Sequence, residues 1–158
     1  FKDYAYAVDS LGGFLDDVKA SSLAKNSVVA VTADNNTVEG IMSYDNYLTQ
    51  TKKIPFYIYM PDSLKPQDAI DTTLASSHKD IFPTLYNLTL YDKTYTAIGT
   101  NLLDKNTLHC GFNDAGVIMA KNGGFKLGKA ISNEEKKCQE YYKASLAVTE
   151  YLVKSNKK

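Results

Sequence analysis

The sequence predicts an α/β fold, a mainly parallel or mixed sheet covered by helices, followed by a small antiparallel meander and a closing helix. Three observations predict it. Residues 27–32 and 54–60 are short apolar runs rich in β-branched or aromatic residues, which read as strands apolar on both faces. Amphipathic helical patterns flank them at Asp3–Lys19 and Ile81–Leu88. Beyond Leu108, strand-length runs alternate with Gly-rich turns, and a helical period resumes after Ser132.

In order, Tyr4, Val8, Leu11, Leu15 and Val18 fall on one helical face, with Asp3 as a possible N-cap and Lys19 at the end the dipole favours. The Gly12-Gly13 pair weakens this helix by roughly 1 kcal/mol per glycine and leaves room for a close neighbour. Ser27–Thr32 reads as a central strand that ends abruptly in Asp34-Asn35-Asn36-Thr37. Residues 41–53 read as an irregular loop or short helix. Ile54–Met60 is a second strand, with Pro55 at its start, where a missing N–H does least harm. Residues 62–69 form a surface connection. Asp80 is placed to cap a helix carrying Pro83 in its first turn, with Ile81, Leu85 and Leu88 on one face.

The meander strands are Leu108–Phe112, Val117–Lys121 and Phe125–Leu127, separated by the turn signals Asn113-Asp114-Ala115-Gly116 and Asn122-Gly123-Gly124. Ser132 and Glu135 form a capping box for the last helix. Its inner stripe is Cys138, Tyr142, Ser145 or Leu146, Thr149, and Leu152 or Val153.

At 158 residues the chain suits one domain, or the C-terminal portion of a larger one. Its formal charge is zero, which argues against nucleic acid as a partner, since phosphate binding needs a basic surplus on one face. No apolar run of about 20 residues is present, so no membrane span is expected within the chain. It opens on Phe1-Lys2-Asp3 without the pattern of a signal peptide, and the missing initial Met suggests processing or truncation. Cys110 and Cys138 make no metal-ligand spacing; they pair if the domain is exported or stay as buried thiols.

Ligands of open α/β sheets gather beyond the carboxyl ends of strands, which directs attention to Asp34 and Asn35. On residue chemistry alone the stretch fits a polar turn, or two hard oxygen donors for calcium or magnesium, too few by themselves for a cation wanting six to eight. The order of several segments resembles the C-terminal half of the catalytic domain of sulfatases and of lipoteichoic-acid-synthase-like phosphoglycerol transferases, in the alkaline phosphatase superfamily. The segments are the helix at Asp3–Lys19, the strand and pair at Ser27–Asn35, the basic-Pro-apolar strand Lys53–Pro61, Ser77–Leu85 with its Asp-Ile-x-Pro-Thr-Leu, and Gly99–Leu103. They span about the first 105 residues; 106–158 are the meander and closing helix.

The resemblance implies an alkaline-phosphatase-like fold and a phospho- or sulfo-ester hydrolase or transferase, with phosphoglycerol or phosphoethanolamine transfer to lipid or glycan as one version. Asp34 and Asn35 would be metal ligands, completed by acidic residues in the upstream half of the same domain. The nucleophile is also expected upstream. Transferases of the superfamily usually carry Asp-His at this pair and sulfatases Asp-Asn. The local Asn35 therefore points to a sulfatase-like site and favours calcium or magnesium, with manganese less suited. The surroundings, lacking a Glu-Gly-Gly before the Pro strand, look closer to the transferases. Lys52 and Lys53 would neutralise a phosphate or sulfate ester substrate, or are simply solvated. Relatives of the transferase type face the periplasm or cell exterior and are tethered by upstream membrane helices.

His78 reads as a surface or capping residue, and His109, in an edge strand, has no visible partner. A non-catalytic binding or structural domain that kept the fold is the alternative function.

Overall fold

The computed structural model describes residues 2–35, 52–90 and 92–155. It is a mixed α/β structure, with α1 (Lys2–Ala20), β1 (Val29–Thr32), β2 (Phe56–Tyr59), α2 (Ile81–Thr89), β3 (Gly111–Phe112), β4 (Val117–Ala120), β5 (Gly123–Lys126) and α3 (Asn133–Ser155). Its internal contacts divide the chain into two compact units, one of Phe1–Ala33 with Pro55–Gln67, the other of Asp34–Ile54 with Asp68–Lys158. Of the segment expected to be irregular, residues 41–51 lie outside the described residues. Among the described residues, no helix is long and apolar enough to cross a membrane.

In the first unit, α1 begins at Lys2, so Asp3 lies inside the first turn rather than capping it. Only the C-terminal part of its expected stripe packs. Val18 is buried and Leu11 and Leu15 are half-buried, whereas Tyr4 and Val8 are exposed. A Cβ at Gly12 or Gly13 would meet no atom within 4 Å, so no close neighbour packs against the glycines among the described residues. Ser21 then caps a short 3₁₀ turn, Ser22–Lys25, accepting from Leu23 N at 3.1 Å. β1 and β2 pair antiparallel from Val29↔Tyr59 to Thr32↔Phe56. The expected burial of β1 on both faces is not observed. Val29 and Val31 are half-buried and Ala30 and Thr32 exposed, the alternation of a two-stranded ribbon covered on one side. Tyr59 donates its hydroxyl to Ala24 O at 3.0 Å, tying the ribbon to the 3₁₀ turn.

The second unit holds the larger core. β3, β4 and β5 form an antiparallel meander in that order. Ala120 pairs with Gly123, leaving Lys121-Asn122 as a two-residue connection and drawing Gly123 and Gly124 into β5. The other turn follows its sequence closely: Gly116 takes φ 71°, where a side chain is strained, and Asn113 Oδ1 accepts from Val117 N at 3.0 Å. The predicted first strand is shortened to Gly111–Phe112. Cys110, Ile118, Ala120, Phe125, Cys138 and Tyr142 form the core, with Phe112, Ala130 and Tyr141 packed against it.

α3 starts where the capping box predicts. Glu135 N donates to Ser132 Oγ at 3.1 Å, and Ser132 N to Glu135 Oε2 at 2.9 Å. Its inner stripe is buried at Cys138, Tyr142 and Ser145. From Leu146 onward every described residue is exposed, including Leu152 and Val153, so the stripe expected to continue there has no cover among the described residues.

Candidate metal pair and the Lys79–Asp80 cluster

Asp34 and Asn35 follow β1 after one residue, Ala33, and both side chains are exposed. Asn35 turns back on its neighbour, its N donating to Asp34 Oδ1 at 2.8 Å and its Nδ2 to Oδ2 at 3.0 Å. The amide oxygen, the atom a cation takes, is on the other branch of that side chain. A carboxylate and an amide carbonyl at one strand end fit a hard cation as part of its oxygen shell. Among the described residues no three His, Cys, Asp or Glu side chains converge as a metal-holding group.

Lys52 and Lys53 are exposed ahead of β2. The register pairs Thr32, last in β1, with Phe56, first in β2, and Thr32 Oγ1 donates to Pro55 O at 3.0 Å. The strand ends that lead into Asp34-Asn35 and out of Lys52-Lys53 are therefore neighbours. His78 is exposed at the start of a 3₁₀ turn, His78–Asp80, in line with a surface role.

Asp80 does more than occupy the N-cap position of α2. Its carboxylate makes no cap bond to that helix and is fully buried. One oxygen accepts from Ser77 N at 2.9 Å, completing a capping box with Ser77 around the preceding 3₁₀ turn. The other accepts from Thr100 N at 2.8 Å and Thr100 Oγ1 at 3.2 Å. Lys79 Nζ closes on both, at 2.6 and 2.7 Å, with its side chain only 11% exposed. The ammonium also faces two rings, 5.0 Å from the Phe112 centroid and 5.4 Å from that of Tyr141. Burial pushes the Lys79 ammonium below its usual range, and the Asp80 carboxylate offsets part of that. Burial, with the Asp80 charge beside it, pushes the Tyr141 phenol up.

Two of the segments that carry the family resemblance are thus partners of each other. Thr84 Oγ1 donates to Asp80 O at 2.7 Å and accepts from Leu102 N at 3.0 Å. Gly99 passes so near the Lys79 carbonyl that a Cβ would lie 1.9 Å from its oxygen. The Asp-Ile-x-Pro-Thr and Gly-x-Asn-Leu-Leu stretches are a lock between a helix start and a loop. Their Asp, Thr and Gly were visible in the sequence, but nothing there joins positions about twenty residues apart.

His109 corrects its sequence reading. It is buried, and its Nε2–H donates to Asp104 O at 2.7 Å, with the Thr107 hydroxyl 3.3 Å from the same nitrogen and the Thr100 hydroxyl 3.5 Å from Nδ1. The two cysteines, left open by the sequence, are joined in a disulfide with Cα atoms 5.5 Å apart, and both are fully buried. In comparisons with known proteins, no family model, no curated protein and no solved structure matches this chain.

Proposed function

We propose that the chain carries part of a divalent-metal-dependent site for a phosphate or sulfate ester, within an alkaline-phosphatase-like domain. The observation that carries this reading is the meeting of two strand ends, one leading into exposed Asp34-Asn35, the other preceded by exposed Lys52-Lys53. Oxygen donors for a cation and ammonium groups for an anion at neighbouring ends are what a cation-assisted reaction of a charged ester requires. The ordered resemblance of five segments supports it, as does the bonding of two of them to each other through Asp80 and Thr84. Among the described residues both sheets, β1-β2 and β3-β4-β5, are wholly antiparallel, so the expected mainly parallel or mixed sheet is not seen there.

Asp34 and Asn35 would hold calcium or magnesium, with manganese less suited, and acidic residues from the upstream half of the same domain would complete the shell. The cation, when bound, polarises the ester oxygen and helps ionise the nucleophile, which this reading places outside the chain. Lys52 and Lys53 bind the anionic ester. Asn35 favours a sulfatase-like reaction, and the surroundings of the Pro strand favour phosphoglycerol or phosphoethanolamine transfer. The buried disulfide supports maturation in an oxidising compartment, which suits the periplasmic or extracellular face of the cytoplasmic membrane.

The test is made on the full-length protein. Calcium, magnesium and manganese are added in turn, and Tm is measured together with cleavage of a phosphodiester and a sulfate-ester probe. A rise in Tm and cleavage of one probe, both lost in Asp34→Ala, are expected. A Tm indifferent to all three cations overturns the metal site. Stabilisation without cleavage of either probe leaves the non-catalytic binding domain as the function.

A further inference from the structure

The two rings that enclose Lys79 hang from opposite ends of one covalent bond. Phe112 follows Cys110 by two residues, and Tyr141 follows Cys138 by three, about one helical turn. The disulfide between them therefore sets the distance between the two walls of the Lys79 enclosure. Further ties run from the same walls to the same cluster. Gly111 lies so close to Ser76 that a Cβ would sit 2.2 Å from its carbonyl oxygen. Phe112 N donates to Ser77 Oγ at 3.3 Å, and Tyr141 donates its hydroxyl to Ile98 O, one residue before Gly99.

We propose that the Cys110–Cys138 disulfide is a redox latch on the Lys79–Asp80 cluster: closed, it holds the first turns of α3 and β3 around Lys79, and opened, it releases them and uncovers the lysine. A dithiol reductant opens it. One reductant thiolate attacks a cystine sulfur, the S–S bond breaks, and the departing cysteine takes up a proton. The second reductant thiol then displaces the other cysteine, so that two cysteine thiols form as the dithiol becomes a disulfide. Both cystine sulfurs are fully buried, so the attack waits on local opening of α3. Once the link is gone, the chain entropy of a cross-link over a separation of 28 residues no longer opposes that opening, and the open population rises on the order of a hundredfold. Burial already works against the Lys79 ammonium, so release is the direction its charge favours.

The intact protein is compared with its phosphine-reduced form and with the Cys110→Ala/Cys138→Ala variant, which lacks the link without adding bulk. Lysines are acylated with an amine-reactive ester and quantified by peptide mass spectrometry, alongside amide hydrogen exchange. In the oxidised protein, Lys79 should label far more slowly than exposed Lys143. In the two unlinked forms its rate should rise at least tenfold, with loss of protection in residues 76–80 and 133–142 and retained protection in β1 and β2. Equal Lys79 labelling with and without the link overturns the latch, because packing alone then holds the enclosure. Loss of protection in β1 and β2 as well overturns it too, because the bond is then a general staple and not a device of this cluster.

Discussion

Asp80 ties together the 3₁₀ turn before α2 and the loop at Thr100 through one buried carboxylate. A carboxylate with no exposure survives because a backbone N–H from each of two segments, a hydroxyl and an ammonium all point at it. Asp80→Asn keeps the shape but strands the Lys79 charge, and urea unfolding should show a loss of about 3–5 kcal/mol. Lys79→Met should cost less, since Ser77 and Thr100 still satisfy the carboxylate. Combining the two should be less damaging than their sum, because no uncompensated charge remains. Gly99 is a second sensitive point, for steric reasons. Its Cβ would overlap the Lys79 carbonyl at 1.9 Å, and backbone cannot rotate aside as a side chain does. Gly99→Ala should therefore destabilise by at least the ~1–3 kcal/mol typical of overpacking, read as a lowered urea midpoint with unchanged slope.

Elements were legible where their signals are local. The box of Ser132 and Glu135 marked the start of α3, and Gly116 and Asn113 marked the turn before β4, because each bond spans only a few residues. Glu135 also yields a pH prediction. Hydrogen bonds from the backbone of Ser132 and Ile131 hold its carboxyl below the ordinary 4.5. A folded-state value below the unfolded one means stability that is present above about pH 4.5 and lost as the pH falls through the lower, folded value. Acid titration followed by circular dichroism should show α3 fraying in that range. Glu135→Ala should already lack that increment at pH 7 and show a flatter acid limb. Less legible was how far each amphipathic stripe is covered. Tyr4 and Val8 of α1, and Leu152 and Val153 of α3, have the spacing of buried positions and are exposed. Spacing fixes which residues share a face, but a face is buried only where another element lies against it.

For the whole molecule, the proposed cation site carries the prediction of broadest reach. A metal bound only to the folded state stabilises it by RT ln(1 + [L]/Kd), about 2.7 kcal/mol at a hundredfold excess over Kd, and Asp34→Ala should remove that increment. The sequence by itself determined the α/β character, the order of the elements, the meander and the capped closing helix, all of which follow from short-range periodicity and turn chemistry. It also singled out Asp34 and Asn35 by their place after a strand. Tertiary structure alone decided that β1 lies antiparallel to β2 with one face covered, that the contacts divide into two units, and that Cys110 and Cys138 pair. It alone brought Asp80, which reads as a helix cap, and His109, which shows no partner in the sequence, together with Thr100 and Lys79 in one polar cluster. Those outcomes depend on which distant residues meet. Local sequence cannot specify such meetings, because one carboxylate suits a helix cap and a buried ion pair equally well until its partners arrive.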